Sequence, residues 1–430
     1  NYSDVNLSTR QIRSDGSGGH EGSLDILKQF MVTYDRWVYS SSSDVTHRVT
    51  DLGVNMQQSV SPTSFFVSGV DTNAKWYDGT DFYFAWIKGS NHGCLNNPYA
   101  LEERLNVLKT AVEDGSRSIQ NYDPLYNWEF YKTGGCWCKY CGEKFTEYLL
   151  ETYTTEELKA KAPNVTITSS FNYRQYLEKT YGWVTNDDYS TNRHLDPLEP
   201  YYEEFQKVTT LNYHTFVKEY LNSLGYGEIR YSANMKTASM ELSATDEKKN
   251  AHYAIFTDSM PETNIGIMTR DTLNLAGTID DALGRDTIFG VIPADGAGNL
   301  QKLRMAAVIS YAMGTQAMIP WDTYVSSSHR EWSSVEEVGD LYHFVRQYPY
   351  LFDDYKVPAI VGIAMDPSNG EHKTAINTLS KAGITVKALP YMTAGKYANY
   401  SFTAEDVEGL KYVLEMASLP QDLKQLVTDS

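Results

Sequence analysis

The pattern of hydrophobic and polar residues switches along the chain between two periods. Short runs rich in β-branched and aromatic residues predict strands near residues 34–39, 53–57, 117–120, 125–130, 229–234, 253–257, 287–292 and 317–321. Longer stretches carry apolar residues at spacings of three and four and predict helices, for example over 101–115, 203–225 and 299–314. Strands that alternate with helices in this way are typical of a parallel sheet wound with helices.

About eight such units favour a (β/α)8 barrel with long loops. An open doubly wound sheet should instead show a glycine-rich phosphate loop after its first strand, and the sequence has none there. After residue 354 a separate strand-helix-strand pattern begins with "AIVGIAMD", "EHKTAINTLSKAG" and "ITVKALPYM". We therefore predict an α/β protein with a TIM barrel over 1–354 and a small flavodoxin-like α/β domain over 355–430.

Composition and charge narrow the range of possible functions. The 430 residues include 55 acidic and 37 basic ones, and the net charge of -18 argues against a nucleic-acid partner. Apolar runs fall short of the roughly 20 residues that a membrane span needs. The chain begins "NYSDVNLSTR", without a methionine or a signal peptide, which is typical of a trimmed product and predicts a secreted or periplasmic protein. The 33 tyrosines fit a carbohydrate cleft.

The cysteines form the clearest motif. Cys136, Cys138 and Cys141 have C-x-C-x2-C spacing, and Cys94 is the fourth cysteine of the chain. Thiols this close cannot all pair in good disulfide geometry, whereas four thiolates around one tetrahedral ion are common, so we predict a structural zinc ion. A disulfide with two free thiols, buried cysteines acting as small hydrophobes, and His92 as a replacement ligand are the alternatives. No organic cofactor is expected.

A family resemblance rests on this region. Glu129 at the end of a predicted strand, a glycine-rich link, "CWCKYCGEKFTEYL" and one cysteine about forty residues upstream together resemble the family-42 β-galactosidases. The resemblance implies a retaining glycoside hydrolase on a barrel, a four-cysteine zinc site, a smaller α/β domain after the barrel, and a possible homo-oligomer. Two departures point to a different substrate: Trp128 separates Asn127 from Glu129, and the stretch that should carry the nucleophilic glutamate offers only Asp295.

Glycoside cleavage needs two carboxyl groups that flank the scissile bond. We predict Glu129 as the general acid/base, because its aromatic neighbours would desolvate it and raise its pKa. Asp295 is the predicted nucleophile, although an aspartate before glycine is also a common turn former. Asp258 is the second choice and could instead cap a helix.

Other polar and aromatic residues at predicted strand ends could bind sugar hydroxyls and sugar faces. Asp123 precedes a proline, so an Asx turn explains it as well as a substrate-binding role does. Core packing explains Trp321 equally well. The predicted substrate-binding set is Asp123, Trp128, Asn234, Trp321 and Asp322.

These features favour a retaining hydrolase of a galactose-configured oligo- or polysaccharide. An endo-hydrolase of sulfated algal fucan or galactan is an alternative if Arg36, Arg270 and Arg285 meet at the strand ends. A carbohydrate-binding barrel without catalysis is another, because the second glutamate is missing. A zinc hydrolase is disfavoured, since four cysteine ligands leave no position for water.

Overall fold

The computed structural model describes residues 2–8, 23–38, 43–60, 67–83, 92–121, 126–235, 262–265, 270–284, 286–290, 299–326, 329–353, 358–366, 370–391 and 401–429. No helix within these ranges is both long enough and apolar enough to cross a membrane.

The largest element is an eight-stranded sheet whose strands are all parallel and follow one another in chain order. Its strands are β1 (Asn6–Leu7), β2 (Tyr34–Val38), β3 (Asn55–Val60), β4 (Ser118–Asn121), β5 (Arg230–Met235), β6 (Glu262–Ile265), β7 (Asp286–Phe289) and β8 (Gln316–Ala317).

Helices connect and flank these strands. They are α1 (Ser23–Gln29), α2 (Ser43–Thr50), α3 (Pro98–Glu113), α4 (Tyr126–Lys132), α5 (Lys139–Thr152), α6 (Thr155–Lys161), α7 (Tyr173–Tyr181), α8 (Asn186–Asn192), α9 (Glu199–Ser223), α10 (Arg270–Leu275), α11 (Leu300–Ala312), α12 (Val335–Gln347), α13 (Tyr350–Asp353), α14 (Gly370–Lys381), α15 (Ala404–Val407) and α16 (Gln421–Asp429). A 3-10 turn, Arg193–Leu195, follows α8, and a π turn, Ala276–Asp280, follows α10.

The two ends of the large sheet approach each other. The Ile319 N–H, just after β8, donates to the Asn6 carbonyl of β1 at 2.8 Å. The Asn6 amide nitrogen also donates to the Gln316 amide oxygen at 2.6 Å. First and last strands are therefore joined by a backbone and a side-chain hydrogen bond.

One face of this sheet is unusually polar, whereas apolar residues usually cover both faces of a parallel sheet. Gln57 donates to the Ser118 and Ser232 hydroxyls at 3.2 Å each, and Ser59 donates to Gln120. The polar residues that belong to this layer are all buried: Asn6, Arg36, Gln57, Ser59, Ser118, Gln120, Ser232 and Gln316.

Apolar packing lies between the sheet and its helices. Ile119 and Tyr231 belong to one cluster with residues of α3 and α9, including Leu108 and Leu211. Leu7, Val38 and Met56 belong to a second cluster with residues of α2, α11 and α12. The amphipathic faces of these helices thus account for most of the buried apolar surface beside the strands.

Two smaller sheets follow. Strands β9 (Trp321–Ser326) and β10 (His329–Trp332) pair antiparallel. Strands β11 (Val361–Met365), β12 (Val386–Pro390) and β13 (Tyr412–Glu415) form a parallel sheet of order β12-β11-β13. The strand-helix-strand unit predicted after residue 354 is present, while its independence as a domain stays a prediction.

Most predicted strands are confirmed within a few residues, but the assignment of 125–130 as a strand was wrong. Tyr126–Lys132 is a helix, with Asn127, Phe130 and Tyr131 buried at helical spacing. Strands β1, of two residues, and β6, of four residues, were not predicted. The strand predicted at 253–257 lies outside the described residues.

A substitution at Gly290 would test how closely this residue packs against Trp37. A Cβ atom added there would lie 2.0 Å from the Trp37 ring of β2, so Gly290→Ala should lower the free energy of unfolding by about 1–3 kcal/mol. Urea denaturation measures this loss. Gly370→Ala is the control, because a Cβ atom there meets nothing within 4 Å. Equal midpoints for the two variants would contradict this packing.

Candidate functional site

Two long connections, after β3 and after β4, pack together into one unit that we call the cysteine subdomain (residues 67–83, 92–97 and 126–198). The Trp137 N–H donates to the Lys75 carbonyl at 2.9 Å, and the Tyr77 hydroxyl donates to the Trp183 carbonyl at 3.1 Å. Both connections leave the carboxyl ends of parallel strands, which is the side where barrel enzymes carry their active sites.

The four cysteines converge in this subdomain, as their spacing predicts. All four are buried, and their sulfur atoms lie within 4.8 Å of one another, with Cys94 and Cys141 at 3.3 Å. Four sulfurs at about 2.3 Å from a tetrahedral zinc ion would be about 3.8 Å apart, so the donor set fits such an ion. His92 instead packs edge-on against Phe82 and Phe130.

Hydrogen-bond donors surround the sulfurs. The Lys75 N–H approaches Cys136 at 3.4 Å, and the side-chain amides of Asn96 and Asn127 approach Cys141 at 3.3 and 3.6 Å. Such donors favour thiolates over thiols.

Burial raises the pKa of Cys136 and Cys141. At Cys94, hydrogen bonds from the other three cysteines outweigh burial, and the pKa lies well below its usual range. A bound dication would allow all four groups to ionise together.

Asn127 connects the cysteines to the rest of the fold. Its oxygen accepts the Leu95 N–H at 3.0 Å, and its nitrogen donates to Gln206 of α9 at 2.9 Å and to Cys94 at 3.4 Å. This role was not predicted from the sequence. The buried amide, two positions before Glu129, fixes the helix that carries Glu129.

Glu129 lies in α4 and is not enclosed by the aromatic residues beside it. Its carboxylate is 2.5 Å from the Lys132 ammonium, and its side chain is 30% exposed. Phe130 packs on Phe82 at 4.9 Å between ring centroids, in the core behind the helix. The expectation that neighbouring rings desolvate Glu129 was therefore wrong, because successive residues of a helix point in different directions.

Trp128 is used mainly for packing. Its ring stacks on Tyr131 at 5.4 Å and 13°, and the Lys207 ammonium lies 4.6 Å from its centroid. One face of the indole is thus covered by Tyr131, and its use as a platform for a sugar stays a prediction.

The other predicted residues fall mostly outside the described part of the chain. Asp123, Asp258 and Asp295 lie outside it, as do the side chains of Asn234 and Asp322. In sequence, Asp123 and Asp295 follow β4 and β7, whereas Asp258 precedes β6. Trp321 is half-buried and packs edge-on against Trp332 at 5.2 Å.

Arg36 is part of the polar layer inside the sheet. It is 1% exposed, and its Nε donates to the Asn6 amide oxygen at 2.6 Å. The Arg270 side chain and Arg285 lie outside the described residues, so a meeting of three arginines stays a prediction.

Asp196 is a buried carboxyl group that the sequence analysis missed. It is 2% exposed and accepts hydrogen bonds from Tyr173 at 2.7 Å, Tyr181 at 3.2 Å and the Leu198 N–H at 3.0 Å. Burial raises its pKa, although these hydrogen bonds act in the opposite direction. Asp196 thereby joins the aromatic core of the cysteine subdomain to the start of α9.

Comparisons with known proteins identify the fold. No protein-family model matches the sequence, and neither does any curated protein. The chain is similar in structure to α-L-fucosidase isoenzyme 2 from Paenibacillus thiaminolyticus, with 12% identity, a TM-score of 0.56 and coverage of 99% of this chain and 62% of that one. It is also similar to a β-galactosidase from Bacillus circulans sp. alkalophilus, with 13% identity, a TM-score of 0.60 and coverage of 96% and 66%.

This chain thus spans less than two thirds of the length of each of these proteins. It has an α/β fold with parallel sheets that is shared with glycoside hydrolases.

Asp196→Asn should make stability less dependent on pH. The folded-state pKa of Asp196 is raised. The stability that its protonated carboxyl group contributes is therefore fully present below the unfolded-state pKa, and it is lost as pH rises through the folded-state pKa. The variant should therefore gain unfolding free energy relative to the wild type as pH rises from about 4. Urea denaturation at several pH values measures this difference.

Asp188→Asn is the control and should behave in the opposite way. Backbone N–H groups of Val184 and Thr185 lower the pKa of Asp188, so the wild type gains stability over this variant as pH rises. The same sign of pH dependence in both variants would contradict the buried, protonation-favouring site at Asp196.

Proposed function

We propose that the protein is a retaining glycoside hydrolase of a galactose-configured oligo- or polysaccharide. The observation that carries the proposal is the parallel sheet of eight strands in chain order, whose last strand hydrogen-bonds back to the first. We infer that this sheet closes as a (β/α)8 barrel, followed by a small α/β domain over 355–430. The active site would lie at the carboxyl ends of the strands.

The proposed sugar configuration has two supports. The cysteine motif resembles that of β-galactosidases, and one structural neighbour is a β-galactosidase. The other neighbour is named an α-L-fucosidase, and fucose is a 6-deoxy sugar with the galactose configuration. A sulfated galactan or fucan stays the alternative substrate for the same site.

The proposed catalytic groups are Glu129 as acid/base and Asp295 as nucleophile. The Glu129 carboxylate lies 2.5 Å from the Lys132 ammonium, so this ion pair would have to open before Glu129 could contact a leaving-group oxygen. Asp123 is the alternative acid, because it follows the end of β4 by two residues.

We also propose that Cys94, Cys136, Cys138 and Cys141 hold one structural zinc ion. Four protein ligands would leave no position for water, so the ion would stabilise the fold and take no part in catalysis. Through Asn127 it would fix α4, and with it the orientation of Glu129.

Asn127→Leu should weaken zinc binding about 10- to 100-fold, because it removes hydrogen bonds to two ligand sulfurs and to Gln206. Competition with a chromophoric chelator measures the affinity. Asn192→Leu is the matched control, since that amide donates to the Asp188 carbonyl at 2.9 Å, away from the cysteines.

Equal zinc affinity in the two variants would contradict the role of Asn127. The zinc proposal itself fails if the purified wild type contains no zinc and shows two reactive thiols, rather than four, after denaturation. That result would instead indicate a disulfide among the four cysteines of the chain.

Glu129→Gln should reduce the hydrolysis of aryl galactosides and galactans by about 10²- to 10⁴-fold while zinc content and folding stay normal. Product masses and reducing ends measure the activity. Glu113→Gln is the control, because Glu113 is also an exposed helical glutamate paired with a lysine, Lys109, at 3.6 Å. Full activity of Glu129→Gln with loss in Asp123→Asn would transfer the acid role to Asp123.

A carbohydrate-binding barrel without catalysis is the second candidate function. The missing second glutamate favours it, because the stretch "TIFGVIPADGAG" offers only Asp295 as a nucleophile. Binding of one glycan without release of any sugar across a panel of galactans, fucans and aryl glycosides would support this function over hydrolysis.

A further inference from the structure

A groove on the cysteine subdomain lies between α5 and the loop 169–174. Its volume is about 600 Å³, within the range of ligand sites. The segment that forms it leaves the carboxyl end of β4, the side on which the proposed active site lies. From its lining we propose that this groove binds a neutral oligosaccharide, as a second carbohydrate site that serves long substrates. This inference rests on the proposed function.

The wall of the groove is aromatic. Trp137, Tyr173 and Tyr202 line it from the buried core, and Phe171 is the half-buried ring at its side. Phe171 is held in place, because its carbonyl accepts the Thr146 hydroxyl of α5 at 2.9 Å and its ring packs on Tyr173 and Tyr176. A fixed aromatic face beside polar groups suits the apolar face of a pyranose ring.

The charges in the groove cancel. Lys139 and Arg174 are opposed by Glu143 and Glu147, and three of these four groups interact elsewhere. Lys139 lies 4.7 Å from the Tyr140 ring centroid, Arg174 lies 5.5 Å from that of Tyr77, and Glu147 pairs with Lys144 at 2.6 Å. These four side chains therefore contribute no net charge, and the remaining charged group of the lining would be the Cys138 thiolate of the proposed zinc site, so the groove does not favour an anionic ligand.

Hydrogen-bonding groups remain available at the groove. The Asn172 oxygen caps α7 by accepting the Gln175 N–H at 3.0 Å, which leaves its amide nitrogen as a donor. The Ser169 hydroxyl, on an exposed residue of the same loop, is a further group at the groove that can donate or accept.

Gly142 allows the groove to be filled without disturbing the fold. It lies on α5 facing the groove, and a Cβ atom there meets nothing within 4 Å. Calorimetric titration with β-1,4-linked galactotetraose, run under conditions in which product masses show the tetrasaccharide to be uncleaved, should show that Gly142→Trp binds one molecule fewer per chain than the wild type. Phe171→Ala should weaken binding at the groove about three- to tenfold. Gly370→Trp, at another open glycine, should bind as the wild type does.

The stoichiometry separates this inference from the proposed function. A change from two molecules to one means that the groove and a second site both bind, and a change from one to none means that only the groove binds. Either change supports the groove as a carbohydrate site. A change from one molecule to none, together with no release of sugar by the wild type, would contradict the hydrolase proposal and leave the groove proposal standing. Equal stoichiometry in the wild type and Gly142→Trp, or no binding by the wild type, would overturn the groove as a carbohydrate site.

Discussion

The large sheet depends on pairing the polar groups that it buries. Amides and hydroxyls inside the sheet cannot reach water, so each must find a partner on another strand. Gln57 of β3 reaches Ser118 of β4 and Ser232 of β5, and Asn6 of β1 reaches Gln316 of β8. A one-residue slip of any of these strands would turn the side chain to the other face and break the network. Polar pairing therefore specifies the register that apolar packing specifies in most sheets.

Much of the fold could be predicted from the sequence, because in long elements the spacing of the apolar residues matches the positions that are buried. Helices α3, α9 and α11 carry continuous apolar faces, and the predictions match them. The failures are local. Strand β1 has only two residues, too few for any period, and α4 was assigned as a strand because aromatic residues favour strands. Its buried positions, Asn127, Phe130 and Tyr131, nevertheless have helical spacing.

The candidate site was predictable only where chemistry and spacing coincide. Four cysteines with metal-ligand spacing converge as expected, because few other arrangements satisfy them. Asn127 and Asp196 carry no such pattern. Their roles follow from partners on other elements, Gln206 of α9 for Asn127 and the tyrosines Tyr173 and Tyr181 for Asp196. The surroundings of Glu129 were misjudged for a related reason, since neighbours in sequence are not neighbours in space on a helix.

The hydrogen bond between Asn6 and Gln316 spans 310 positions of the chain. At about 5–20 residues per second, a ribosome needs roughly 15–60 seconds to make the chain between them. During that interval the first strand has emerged without its final neighbour, and an unpaired strand edge can capture other chains. Strand β1 pairs with β2 soon after synthesis, whereas its contact with β8 is completed only when the eighth strand has been made.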